Sequence, residues 1–108
     1  MRCVKPLSPL PLVAALLLAA APAMAQDAQT LNTRALAATC ANCHGTNGKA
    51  LANSPVTGLA GLPASFIAEQ MKAFKSGARP ATVMHQLAKG YSDAQIDQMA
   101  AYFAAQTR

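Results

Sequence analysis

Cys40-Ala41-Asn42-Cys43-His44 is the stretch of this chain whose residue types and spacing can do chemistry. Two thiols three positions apart, at the start of a bend after a short helix, can each reach one vinyl group of the same porphyrin. The next residue then places an imidazole under the iron. C-x-x-C-H is accordingly read as the attachment sequence of a c-type haem, with Cys40 and Cys43 in thioether bonds and His44 as an axial ligand. Other chemistries use a cysteine pair, but a redox C-x-x-C needs a βαβ setting that is missing here. A structural zinc site needs four ligands, and no second Cys or His pair follows.

The other side of the iron needs a donor, and the candidates are Met71, Met84, Met99 and His85. Met71 and Met99 fall on the apolar stripes of predicted helices, where packing accounts for them. Met84 follows Arg79-Pro80-Ala81 in a short segment between two helices, where a side chain can be aimed at a ligand, and it is the expected sixth ligand. His85 is the rival, but adjacent residues on a helix diverge by about 100°, so the two cannot both face the iron. Met/His ligation raises the reduction potential relative to bis-His and closes both iron positions, which suits an electron carrier better than a catalyst. In the loop covering the His44 face, Pro55 is a candidate source of the carbonyl that accepts from His44 Nδ1–H; a plain turn proline is the alternative. Lys49, Lys72, Lys75, Arg79 and Lys89 could ring a haem edge, although scattered charges of this kind are expected to form only a solvated face.

Residues 1–25 read as a cleaved secretory signal: a basic start at Arg2 and Lys5, the apolar run Leu10 to Ala21, then Ala23-Met24-Ala25. The run is too short for a permanent membrane span, so no stable membrane insertion is expected after cleavage. Export agrees with haem attachment on the outer side of the cytoplasmic membrane, and places the mature chain, 26–108, in the periplasm. That length supports one domain whose polypeptide core alone is marginal. With no Trp, three Phe and two Tyr in the sequence, a buried porphyrin would supply the missing bulk. The leader contributes Arg2 and Lys5 to the net charge of +5, leaving a mildly basic chain that gives little reason to expect nucleic acid as a partner.

The positioning elements are all helical. Leu31 to Thr39 carries Leu31, Ala35 and Ala38 on one stripe, with Leu36 beside it, and delivers Cys40. The segment 45–62 holds Gly, Asn and Pro throughout and reads as a long loop wrapped on a ligand. Pro63 to Ser76 has the stripe Phe66, Ile67, Gln70, Met71, Phe74 and is stopped by Gly77. A short helical stretch is expected at Thr82–Lys89, ended by Gly90. Ser92-Asp93-Ala94-Gln95 is a capping box that opens a last helix with Ile96, Met99, Ala100 and Phe103 on its apolar face. No β-type alternation is present, so the class is all-α.

With Cys40-Ala-Asn-Cys-His44-Gly45, a loop holding Gly48 and Leu59-Ala-Gly61, a late Met and a C-terminal amphipathic helix, the chain resembles class I c-type cytochromes. The resemblance implies a small fold of a few helices around one covalently bound haem c, with the N- and C-terminal helices crossing and His44 and Met84 as axial ligands. Phe74-Lys-Ser-Gly-Ala-Arg-Pro-Ala-Thr-Val-Met84 and Ala88-Lys-Gly-Tyr-Ser-Asp93 are more narrowly similar to the cytochrome subunit of flavocytochrome c sulfide dehydrogenase. That likeness implies a non-catalytic haem subunit that accepts electrons from a sulfide-oxidising flavoprotein. A free mono-haem carrier serving an oxidase or reductase is the alternative.

Overall fold

The computed structural model describes residues 27–108; the predicted leader, 1–25, lies outside the described residues. Contacts divide the chain between Thr30 and Leu31, and the unit Leu31–Arg108 carries the core and the site. The elements are α1 (27–38), α2 (Ala41–His44), a 3-10 turn (Thr46–Gly48), α3 (Ala64–Ser76), α4 (Met84–Lys89) and α5 (Asp93–Ala104). Among the described residues there is no strand, and the fold is all-α as expected.

The core is built by α5 against α3 and the end of α1. Ile96, Met99, Ala100 and Phe103 all point inward, where they meet Ile67 of α3 and Ala37 of α1 in one buried cluster. The predicted α5 stripe is therefore the observed one. The α1 stripe is not. Leu31 is 66% exposed, and Ala35 and Ala38 are exposed too, while Leu36, Ala37 and Cys40 pack inward. Alanine stands on every face of this helix, so apolar spacing carries little phase information. What sets the phase is Cys40, which must reach the core three residues after Ala37.

Helix ends follow local chemistry. At α5, Ser92 Oγ accepts from Gln95 N at 3.2 Å and Gln95 Oε1 accepts from Ser92 N at 2.9 Å, completing the capping box. Ser92→Ala removes one of these bonds and is expected to lower stability by about 1 kcal/mol. A fall in the denaturant midpoint at unchanged slope checks it. At α3, Gly77 ends the helix in the left-handed region at φ 83°. α4 begins at Met84, two residues later than expected, because Val83 lies outside helical geometry at φ −136°. Met84 thus becomes the first helical residue.

The loop 45–62 is fastened rather than free. Leu59 and Ala60 N–H both donate to the Gly48 carbonyl, and Gly61 N–H donates to the Phe103 carbonyl at 2.9 Å. Tyr102 Oη donates to Asn47 Oδ1 at 2.7 Å, and Lys49 Nζ donates to Thr107 Oγ1 at 3.3 Å. Two glycines make this closure possible. Gly45 sits at φ 82°, where a Cβ would collide with the Lys49 carbonyl, and a Cβ on Gly48 would lie 2.8 Å from the Phe103 ring.

Two surface ion pairs join α3 to α5: Lys72–Asp97 at 2.8 Å and Lys75–Asp93 at 2.7 Å. The Lys75 hydrogen bond holds the Asp93 carboxyl below its ordinary range, and the Asp97 bond holds the Lys72 ammonium above its own. Both pairs are exposed, so each stabilises the fold only slightly. Two of the five scattered cations are accounted for in this way.

Candidate haem site

α1 ends at residue 38, with only Thr39 between it and the motif. Cys40 N–H donates to Ala37 O at 3.1 Å, and the chain re-enters helix with His44 N–H donating to Cys40 O at 2.9 Å. Cys40, Cys43 and His44 therefore stand at i, i+3 and i+4 of a single turn, the spacing that puts three side chains on one side. Thr39 anchors this turn from outside. Its hydroxyl donates to Leu36 O at 2.7 Å, so its oxygen is left to accept from Tyr91 Oη at 2.6 Å, tying the motif to the α4–α5 junction. Burial pushes the Cys40 thiol up from its ordinary range, opposed by its contact with the Thr39 hydroxyl.

His44 Nδ1 lies 2.7 Å from the Thr57 carbonyl. A carbonyl can only accept, so Nδ1 carries the proton and Nε2 keeps its lone pair for a ligand. The candidate acceptor from the sequence is Pro55; the structure corrects this to Thr57, two residues further along the same loop. Any residue can present a backbone carbonyl, so no side-chain signal marks the position in advance.

Cys40, His44 and Met84 all line one cavity of about 540 Å³. The α3 stripe Phe66, Ile67, Met71 and Phe74 forms one part of its wall, and Ile96, Met99 and Phe103 of α5 form another. Cys43 is exposed and stands outside this lining. Of the three lining methionines, Met71 and Met99 also pack in the core cluster, whereas Met84 does not. His85 is absent from the lining, and its Nδ1 is buried without a hydrogen-bond partner. Gln70, expected on the α3 stripe, and Arg79, one of the cations weighed between a haem edge and a solvated face, also line the cavity.

The donor set fits a haem. The cavity lies within the ~300–1,000 Å³ typical of cofactor sites and is walled almost wholly by carbon. Among the described residues no three His, Cys, Asp or Glu side chains converge as a bare ion would require. One imidazole and one thioether suit a metal that arrives with four ligands of its own.

No protein-family model matches the chain. It is 39% identical over 72 residues to cytochrome c-554(548) of Halomonas halodenitrificans, covering 63% of this chain and 84% of that protein. It is 38% identical over 68 residues to the cytochrome subunit of sulfide dehydrogenase of Chlorobaculum tepidum, covering 63% of this chain and 60% of that one. It is 38% identical over 97 residues to the thiosulfate dehydrogenase electron acceptor of Stutzerimonas stutzeri, covering 86% of this chain and 44% of that protein. The chain thus spans less than two thirds of the last two relatives.

Proposed function

The chain belongs to the class I c-type cytochromes, electron-transfer haem proteins, and from that premise we propose that Cys40 and Cys43 bind one haem c covalently, with His44 and Met84 as axial ligands. We further propose that the mature chain, 26–108, works in the periplasm as the non-catalytic haem subunit of a dehydrogenase acting on reduced sulfur compounds, a sulfide-oxidising flavoprotein being the first candidate. The observation that carries the reading is the meeting of Cys40, His44 and Met84 in one apolar cavity. The haem, when bound, supplies one-electron chemistry.

The chain's own residues have the tasks of holding that group and keeping water from it. Thr57 fixes the imidazole, and the α3 and α5 side chains exclude solvent. The titratable side chains lining the cavity are Cys40, His44 and Arg79. With the first two committed to the haem, no acid–base pair is left there to oxidise sulfide. Oxidation of a sulfur compound is therefore assigned to a partner. Among the described residues no helix is long and apolar enough to cross a membrane.

The test is rapid mixing of the holoprotein with candidate donors. Sulfide alone is expected to give no steady turnover, while sulfide with the flavoprotein dehydrogenase of the native host reduces the haem within the enzyme's turnover time. Two relatives, of Thiomonas intermedia and S. stutzeri, are named as acceptors for thiosulfate dehydrogenase, which makes that enzyme the second donor to mix. A second reading, a free shuttle, is favoured by the 84% coverage of a relative whose name carries no enzyme. Equal reduction rates with unrelated donors, and no complex with either dehydrogenase, would decide for the shuttle.

A further inference from the structure

α4 carries Met84 at its first position and is lightly held. It has six residues, less than two turns, and of these Ala88 alone is buried. Val83 just before it and Leu87 within it remain 51% and 48% exposed. A helix this short is not stable by itself in water, so its place is set by what it is tied to. One face packs on α3. Its far end runs through Gly90 into Tyr91, whose N–H donates to Ala88 O at 3.3 Å.

Tyr91 is the second tie. Its ring packs against the core cluster, and its hydroxyl donates to Thr39 Oγ1 at 2.6 Å. Thr39 immediately precedes Cys40, and its own hydroxyl hydrogen is taken by Leu36 O at 2.7 Å. The acceptor is thereby held in one orientation for the phenol. The bond joins residues 52 apart in the sequence. On one side of it stands the turn of Cys40, Cys43 and His44, and on the other α4 with Met84. Neither Thr39 nor Tyr91 lines the cavity, so the pair can act on its contents only through the elements it joins.

We propose that Tyr91, through Thr39, is a positioning residue for Met84: it holds α4 to the haem-binding turn and so sets how readily the sixth iron position yields to an outside ligand. This rests on the ligation proposed above. An incoming ligand must displace Met84, and in so short a helix that displacement carries its far end outward as well. The Tyr91–Thr39 bond is made in the closed form and broken in the opened one. Removing it therefore shifts the balance toward opening by what the bond contributes.

The experiment is an imidazole titration of oxidised holoproteins at fixed pH, followed at the near-infrared sulfur-to-iron band. Wild type is compared with Tyr91→Phe, Thr39→Val, Thr39→Ser and the double variant Tyr91→Phe/Thr39→Val. Ser92→Ala is the control, because it weakens α5 at the very next residue without removing this bond. Tyr91→Phe keeps the ring, and is expected to keep covalent haem and the band until imidazole is added. Its imidazole affinity should rise roughly threefold. Amide exchange at Gln86 and Leu87, whose N–H groups donate to Val83 O at 3.0 and 3.2 Å, should quicken by a similar factor. Thr39→Val should match Tyr91→Phe, the double variant should add nothing to either, and Thr39→Ser should return to wild type. Ser92→Ala should bind imidazole as wild type does. An unchanged affinity in Tyr91→Phe overturns the proposal, as does an equal rise in Ser92→Ala or additive effects in the double variant. Failure of the ligation itself would be visible earlier, as a wild-type protein with no covalent haem or no near-infrared band.

Discussion

Replacing both Cys40 and Cys43 by alanine is expected to give a chain that neither retains haem nor unfolds cooperatively. The argument rests on how little the polypeptide buries unaided. Its buried residues include four alanines, and Ile96 is the largest side chain that is fully buried. Phe66 and Leu87 remain 47% and 48% exposed. At ~24 cal/mol per Å³, leaving a 540 Å³ cavity unfilled represents on the order of 10 kcal/mol. Water entering an open cleft reduces that figure, yet it stays comparable with the ~5–15 kcal/mol of a whole domain. Haem content after acid–organic extraction and the thermal transition are the two readouts. A double variant that keeps its haem through extraction would contradict the thioether assignment, and one that melts sharply without haem would contradict the account of the core.

Met84→Ala is expected to abolish the weak near-infrared band of sulfur-to-iron charge transfer and to lower the potential by roughly 0.2 V, within the ~0.8 V that axial ligands span. Met71→Leu and Met99→Leu conserve volume and should keep the band. The discrimination follows from position: Met71 and Met99 are shared between the cavity and the core cluster, while Met84 belongs to the cavity alone. His85→Ala should also keep the band. If His85→Ala removed the native spectrum and Met84→Ala did not, the ligand would be His85.

What could be read from the sequence divides along physical lines. α5 was legible in full because Ser92 and Gln95 mark its start and four bulky or small apolar residues keep strict helical spacing. The α3 stripe was legible too, although its destination was a cavity wall rather than a dry core. α1 was found but its buried face was wrong, since alanine gives no contrast between sides. Thr57 could not be found because a carbonyl belongs to every residue. Arg79 was grouped with the surface lysines. Its meaning depends on the Gly77 turn, which returns it to α3, and that lies in the path of the chain rather than in the residue type.

The fastening of the loop to α5 also bears on the order of events as the exported chain folds. His44 takes its orientation from Thr57, in a loop held by Phe103, Tyr102 and Thr107. Those partners lie some sixty residues beyond the motif in the chain. Cys40 and Cys43 can present their thiols before α5 has folded, but the imidazole has no fixed direction until it has. On the proposed ligation, covalent capture and iron coordination would be separable in time, and the first would not wait for the second. An exported chain truncated before α5 is expected to carry its haem only as a tethered passenger, with no fold to close over it.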